Sequence, residues 1–408
     1  MKITNQITED FYKDSEDVSN IVKAIIDDVK IDGDNAVRYY TKKFDNVDVS
    51  NFEISDEYIQ KALESIPKDV REAIEFSIQN VENFAKAQLG SVKNTVYQAE
   101  GAILGHKIIP LEKVGCYIPG GNYPLPSTAI MTIVPARIAG VKEIIAVSPK
   151  TQNITIAAAK LAGASKIYQI GGVQAIAALA YGTKTIPAVD KIVGPGNKYV
   201  ACAKKLVYGQ CGIDFIAGPS EVMIIADDSA YPEFVAADLL AQCEHDKDAR
   251  AYLLCFDKKF ANKVNEYAEI FLKTLKTADI AKESYQKSIA YVVKNIDEAV
   301  EIANKKAPEH LELCINNVNE EIDKFKNYGS LFIGNYSAEV FGDYVSGTNH
   351  TLPTSRASRY TGGLSVFDFI KIQTFQKIET VEKFSKYASI LAEQEGLFAH
   401  KLASDIRK

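Results

Sequence analysis

The feature that most constrains this chain is an alternation of short apolar runs with helical patterns across its middle. EIIAVSP (143–149), KIYQIGG (166–172), DKIVGPG (190–196), SEVMIIAD (220–227) and RAYLLCF (250–256) are candidate strands, bounded by glycine, proline or charge. Between them run NITIAAAKLAGA, VQAIAALAYG, NKYVACAKKLVYG and YPEFVAADLLAQCEH, whose apolar residues recur at helical intervals. Strands that return about every 25 residues through a helix build a parallel sheet buried on both faces, the α/β class. IAYVVK (289–294) and IDEAVEIANKKA (296–307) add one more strand and helix. Upstream, residues 16–90 have three- and four-residue apolar spacing and little glycine, the pattern of helices. Residues 341–365 hold too much Gly, Ser, Thr and Pro for a regular element and read as a long loop. The stretch from Thr380 to the end reads as an amphipathic helix or helix pair.

At about 100–200 residues per domain, the 408 residues make two to four domains. A net charge of −6 with neither sign concentrated argues against a nucleic-acid-binding surface. No run approaches the ~18–20 apolar residues of a membrane span. MKITNQITEDFYKDSED is too acidic and polar for a secretory signal peptide. The six cysteines show no CxxC spacing and read as reduced thiols, which points to the cytoplasm.

Histidine is scarce. The five lie at 106, 245, 310, 350 and 400, and the last four sit beside acidic or amide residues. If the helix beginning near Tyr231 persists, Gln242 and His245 share one face, and an imidazole with an amide oxygen can serve a zinc ion. A polar helix end with a dipole-favoured histidine explains the same residues. Asp343 and His350 flank GDYVSGTNH, as inward-reaching ligands or as a turn residue and a surface side chain. Glu309 and His310 in APEHLEL offer adjacent proton-transfer groups. In an extended segment they would point to opposite sides. Glu395 and His400 fall in EQEGLFAHK, where Gly396 interrupts the helix.

VGCYIPGGNYP and KIVGPGNKYV place glycines after apolar runs, as close backbone approach to a ligand requires, but neither fits GxGxxG. AGPSE (217–221) reads as a βα turn with Ser220 as helix cap or ligand contact.

Eight ordered strings carry a family likeness: VGCYIPGGNYPLPSTAIMTIVPARIAG, IGGVQAIAALAYGT, DKIVGPGNKYV, AGPSEVMIIAD, DLLAQCEHD, APEHLEL, GDYVSGTNHTLPT and EGLFAHK. Together they resemble histidinol dehydrogenase from about residue 20 to 403. The resemblance implies zinc- and NAD-dependent oxidation of L-histidinol through L-histidinaldehyde to L-histidine. It implies zinc ligands Gln242, His245, Asp343 and His400, one ion per subunit, and the catalytic pair Glu309 and His310. Substrate contacts would be Ser220, His350 and Glu395 together with Gln242, His245, His310, Asp343 and His400. NAD contacts would be Tyr117, Gln174 and Asn197. The implied fold is two incomplete Rossmann-like domains with parallel-sheet cores and small helical extensions at both ends. Residues 1–20 would form an N-terminal arm, 21–115 with 220–364 the first domain, and 116–219 the second. Residues 365–408 would be a helical tail exchanged in a homodimer, bringing Glu395 and His400 to the partner's site. An NAD-linked dehydrogenase of another small polyol, and a zinc hydrolase, remain as alternatives.

Overall fold

The computed structural model describes residues 1–6, 17–120, 123–150, 152–216 and 218–408. Residues 7–16 of the expected arm, residues 121–122 of the first glycine-rich string and residue 217 of AGPSE lie outside them. The strands are β1 (Lys2–Thr4), β2 (Thr95–Ala99), β3 (Ala102–Pro110), β4 (Lys113–Tyr117), β5 (Glu143–Val147), β6 (Lys166–Tyr168) and β7 (Lys191–Val193). They continue as β8 (Gly212–Ile213), β9 (Glu221–Ala226), β10 (Arg250–Cys255), β11 (Ile289–Val292), β12 (His310–Cys314), β13 (Ser330–Ile333) and β14 (Ile370–Ile378). Two parallel sheets result, ordered β1-β11-β10-β9-β12-β13 and β6-β5-β4-β7-β8. A smaller antiparallel sheet runs β14-β3-β2.

Burial on both faces explains the continuous apolar runs. In the five-stranded sheet Ile145 and Val147 face helices Ser19–Asp32, Asp34–Asp45, Gly172–Tyr181 and Lys198–Val207. Val114, Cys116, Ile144 and Ala146 face Asp56–Ser65, Lys68–Gly90, Pro126–Ala139 and Asn153–Ala162. In β9, Val222 and Ile224 pack against helices Pro232–Cys243, Lys258–Leu272 and Ala278–Lys287. Met223 and Ile225 point to the other face, toward helix Ile296–Lys306. The expected strands and crossover helices all form.

The expected division of the chain needs one correction. Residues 21–90 do not join 220–364; their four helices cover both faces of the five-stranded sheet, because their apolar stripes complete the cores around β4 and β5. β4 itself lies in that sheet. The tail is not wholly helical either. β14 pairs along nine residues with β3, a partner far upstream, before helices Glu382–Gln394 and Phe398–Asp405. Gly396, at φ 73°, separates the helices as read from the sequence. Among the described residues no helix is long and apolar enough to cross a membrane.

Candidate active site and metal centre

β12 begins at His310, between β9 and β13 and at the amino edge of the six-stranded sheet. Pro308 ends the preceding helix, and Ala307 takes a left-handed conformation (φ 52°) that turns the chain sharply. Ser358 Oγ donates to the Ala307 carbonyl at 2.8 Å and braces that turn. Glu309 therefore lies just outside the regular strand, and the opposite-faces objection does not apply. Both side chains are buried, with His310 Nδ1 3.8 Å from Glu309 Oε2. The Glu221 N–H donates to Glu309 Oε2 at 2.9 Å, while His310 Nδ1 lies 3.3 Å from the Glu221 carbonyl.

The cation donors come from elements that return to the same edge. Helix Pro232–Cys243 runs back from β9 and ends there; His245 sits in the turn beyond it rather than on a continuing helical face. Asp343 lies in a short helix, Glu339–Tyr344, rather than in the expected loop. That helix places Glu339 and Asp343 four residues apart on one face. Donor atoms of His245, Glu339 and Asp343 lie within 4.8 Å of one another. Gln242 is fully buried, and in the amide orientation that satisfies its neighbours its nitrogen donates to Glu339 at 2.5 and 3.0 Å. His310 reaches the group as well, 3.8 Å from Glu339 and 3.7 Å from Asp343.

Burial raises the Glu309 pKa to about 8, aided by the Glu221 and Asp343 carboxylates and opposed by His310. It raises Glu339 well above the usual carboxylate range, although His310 opposes it. For His310 burial favours the neutral ring, yet Glu339, Glu309 and Asp343 outweigh it and raise its pKa well above the usual histidine value. Burial also works against an ionised Asp343, but hydrogen bonding and charge from His310, with His350 and His245, hold its pKa low. Desolvation lowers the pKa of His350, whose buried Nε2 has no hydrogen-bond partner.

A second constellation lies at the carboxyl edge of the five-stranded sheet, where ligands of open parallel sheets bind. Tyr117 ends β4, and its hydroxyl accepts the Gly172 N–H at 3.1 Å. Gln174 is fully buried, with neither amide atom hydrogen-bonded. Gly194 (φ 115°) lies so close to the Tyr117 backbone that a Cβ would collide with it. Asn197 Oδ1 is occupied as the cap of helix Lys198–Val207, accepting from Tyr199 and Val200 N–H at 3.0 and 3.2 Å. Residues 214–220 connect β8 to β9. Asn80 Nδ2 donates to the Val345 carbonyl at 2.8 Å and Asn349 Nδ2 to the Met131 carbonyl at 2.7 Å, so the segment that follows Asp343 packs on helices of the five-stranded sheet.

Ser220 leads directly into a strand, so its helix-cap reading falls; its carbonyl accepts the Arg250 N–H at 3.0 Å. Glu395 and His400 stand exposed on the tail and belong to no donor cluster among the described residues. Sequence reading missed Glu339, for which the Glu-x-x-x-Asp spacing in EVFGD was the available signal. It also missed the buried carboxyls Glu221 and Glu312, hidden inside apolar strand patterns.

Buried proton-transfer groups beside cation donors, set at the edge of a parallel sheet, are the equipment of an α/β enzyme. That is the class the fold and the site define. The sequence profile described as histidinol dehydrogenase matches residues 9–408. The chain is 48% identical to histidinol dehydrogenase of Aquifex aeolicus, over 96% of this chain and 93% of that one. It is 45% identical to that of Methanocaldococcus jannaschii, covering 98% and 94% respectively. The crystal structure of histidinol dehydrogenase from Elizabethkingia anophelis superposes with a TM-score of 0.94 at 38% identity, covering 100% of this chain and 98% of that one. The chain belongs to the histidinol dehydrogenase family.

Proposed function

We propose that this chain oxidises L-histidinol through L-histidinaldehyde to L-histidine, the end of histidine biosynthesis, with one zinc ion per subunit and NAD⁺ as oxidant in each step. The observation that carries the reading is the convergence of Gln242, His245 and Asp343, remote from Glu309 and His310 in sequence, on that same buried pair. Imidazole, carboxylate and amide donors suit zinc. His245, Asp343 and Gln242 would hold the ion, with His400 of a second copy completing the set. When bound, zinc would offset the local carboxylate charge and orient the amine and imidazole nitrogens of the substrate. Tyr117, Gln174 and Asn197 would hold NAD⁺, the hydride acceptor; the unpaired, fully buried Gln174 amide supports this.

His310 Nε2 takes the hydroxyl proton as hydride leaves the same carbon. Glu309 then takes a proton from the water that adds to the aldehyde, and the hydrate loses a second hydride and proton. Ser220, His350 and Glu395 contact the substrate, His350 as a neutral ring. Burial of the pair limits escape and side reactions of the carbonyl. A homodimer with exchanged tails would bring Glu395 and His400 to the partner's site.

The test combines metal analysis with NADH absorbance on adding L-histidinol and NAD⁺, before and after chelation. Stoichiometric zinc, turnover of histidinol over other small polyols, and loss on chelation restored by zinc are expected. Polyol turnover without histidinol turnover, or ester hydrolysis without NADH, would overturn the assignment.

A further inference from the structure

We propose that Glu221 is a positioning residue for this reaction, anchored by a buried ion pair with Lys306 and holding the Glu309 and His310 side chains through its own backbone. The role rests on the reading of His310 as proton acceptor. Glu221 opens β9 beside β12 and meets both partners through its backbone: its N–H donates to Glu309 Oε2 at 2.9 Å, and its carbonyl lies 3.3 Å from His310 Nδ1. A carbonyl can only accept, so this contact requires a proton on Nδ1. When the ring is neutral, the lone pair left for the substrate is then the one on Nε2. Nε2 is buried and faces Asp343 Oδ1 at 3.7 Å.

The Glu221 side chain has a different partner. Its Oε2 pairs with Lys306 Nζ, and both residues are buried. Lys306 ends the helix before the Ala307 turn, and its ammonium lies 5.4 Å from the Tyr252 ring centroid. The pair thus ties the start of β9 to the turn that delivers Glu309. Oε1 of Glu221 is buried with no hydrogen-bond partner, so the pair is incompletely satisfied. A buried pair of this kind contributes little net stability, because desolvation cancels much of the attraction. Its consequence is geometric: one backbone position sets two reacting side chains, whose misplacement by about 1 Å costs on the order of 10²-fold in rate.

The experiment compares Glu221→Gln, Lys306→Met and the apolar double variant Glu221→Leu/Lys306→Met with the zinc-loaded wild type. Melting temperature, kcat and KM for histidinol and NAD⁺, and His310 ring ¹⁵N shifts are read for each. Lys306→Met strands a buried carboxylate and should lower the melting temperature; the double variant should recover it. Positioning requires that kcat stay at least about tenfold down in the double variant with KM little changed, and that the ring lose its single Nδ1–H tautomer. Recovery of kcat along with stability would make the pair structural only and overturn the proposal. Glu221→Gln keeps the size and one bond to Lys306, so it tests the point even if the other variants fail to fold: it should hold kcat within a few-fold of wild type and keep the Nδ1–H tautomer, and a loss of about tenfold in kcat with the tautomer intact is equally fatal. A wild type that leaves histidinol untouched would refute the proposed function, and the ¹⁵N shifts would still decide whether Glu221 sets the tautomer.

Discussion

Asp238 shares a desolvated space with Glu312 and Glu339, and burial raises its pKa to about 6 against a hydrogen bond from Glu312 that lowers it. The folded state therefore holds this proton more tightly than the unfolded chain does. Between the ordinary aspartate pKa and about 6 the unfolded state releases it first, so stability falls as pH rises through that window. Asp238→Asn should remove the loss, gaining up to about 3 kcal/mol relative to wild type between about pH 4 and 7 in urea unfolding. A parallel pH dependence in the two proteins would count against it. The residue scale also shows why Glu309 and His310 were only half legible. Their types announced proton transfer, but an extended segment would have parted them, and the Ala307 turn that reunites them is braced by Ser358, far along the chain.

Elements formed where local pattern and burial agreed. Helix Lys198–Val207 carries an apolar stripe, helix Gly172–Tyr181 is buried nearly all round, and β9 needs no alternation because both of its faces are covered. The antiparallel sheet escaped notice because β14 is largely exposed along its length and pairs with a remote partner, so no apolar face marks its register. Helix Lys198–Val207 makes a prediction at this scale. Its cap, Asn197, satisfies two backbone N–H groups that otherwise end unpaired. Asn197→Ala should cost about 1 kcal/mol in denaturant unfolding, and Asn197→Asp should retain most of it. An alanine variant as stable as wild type would show that the cap contributes nothing.

At the scale of the whole molecule the tail is the unfinished part. Leu391, Phe398, Leu402 and Ile406 are each at least 61% exposed, and His400 joins no donor cluster among the described residues. Around Asp343 the short helix also leaves Val340, Phe341 and Tyr344 uncovered. Apolar surface of this extent marks a contact face, and the proposed exchange would join the two. His400→Ala and His310→Asn variants should each be nearly inactive alone. Refolded together they should regain about a quarter of wild-type turnover, because half the dimers would then carry one intact site. Mixed dimers that remain inactive would refute sharing of sites.

Residue order by itself determined the parallel-sheet class, the crossover helices, the interruption at Gly396 and the residue types of the site, because periodicity and turn chemistry act over a few neighbouring positions. Which sheet each helix covers, the antiparallel pairing of β3 with β14, and the entry of Glu339 and Glu221 into the site were decided by tertiary structure alone. Those outcomes depend on burial and on contacts between residues far apart in the chain, which no local window contains.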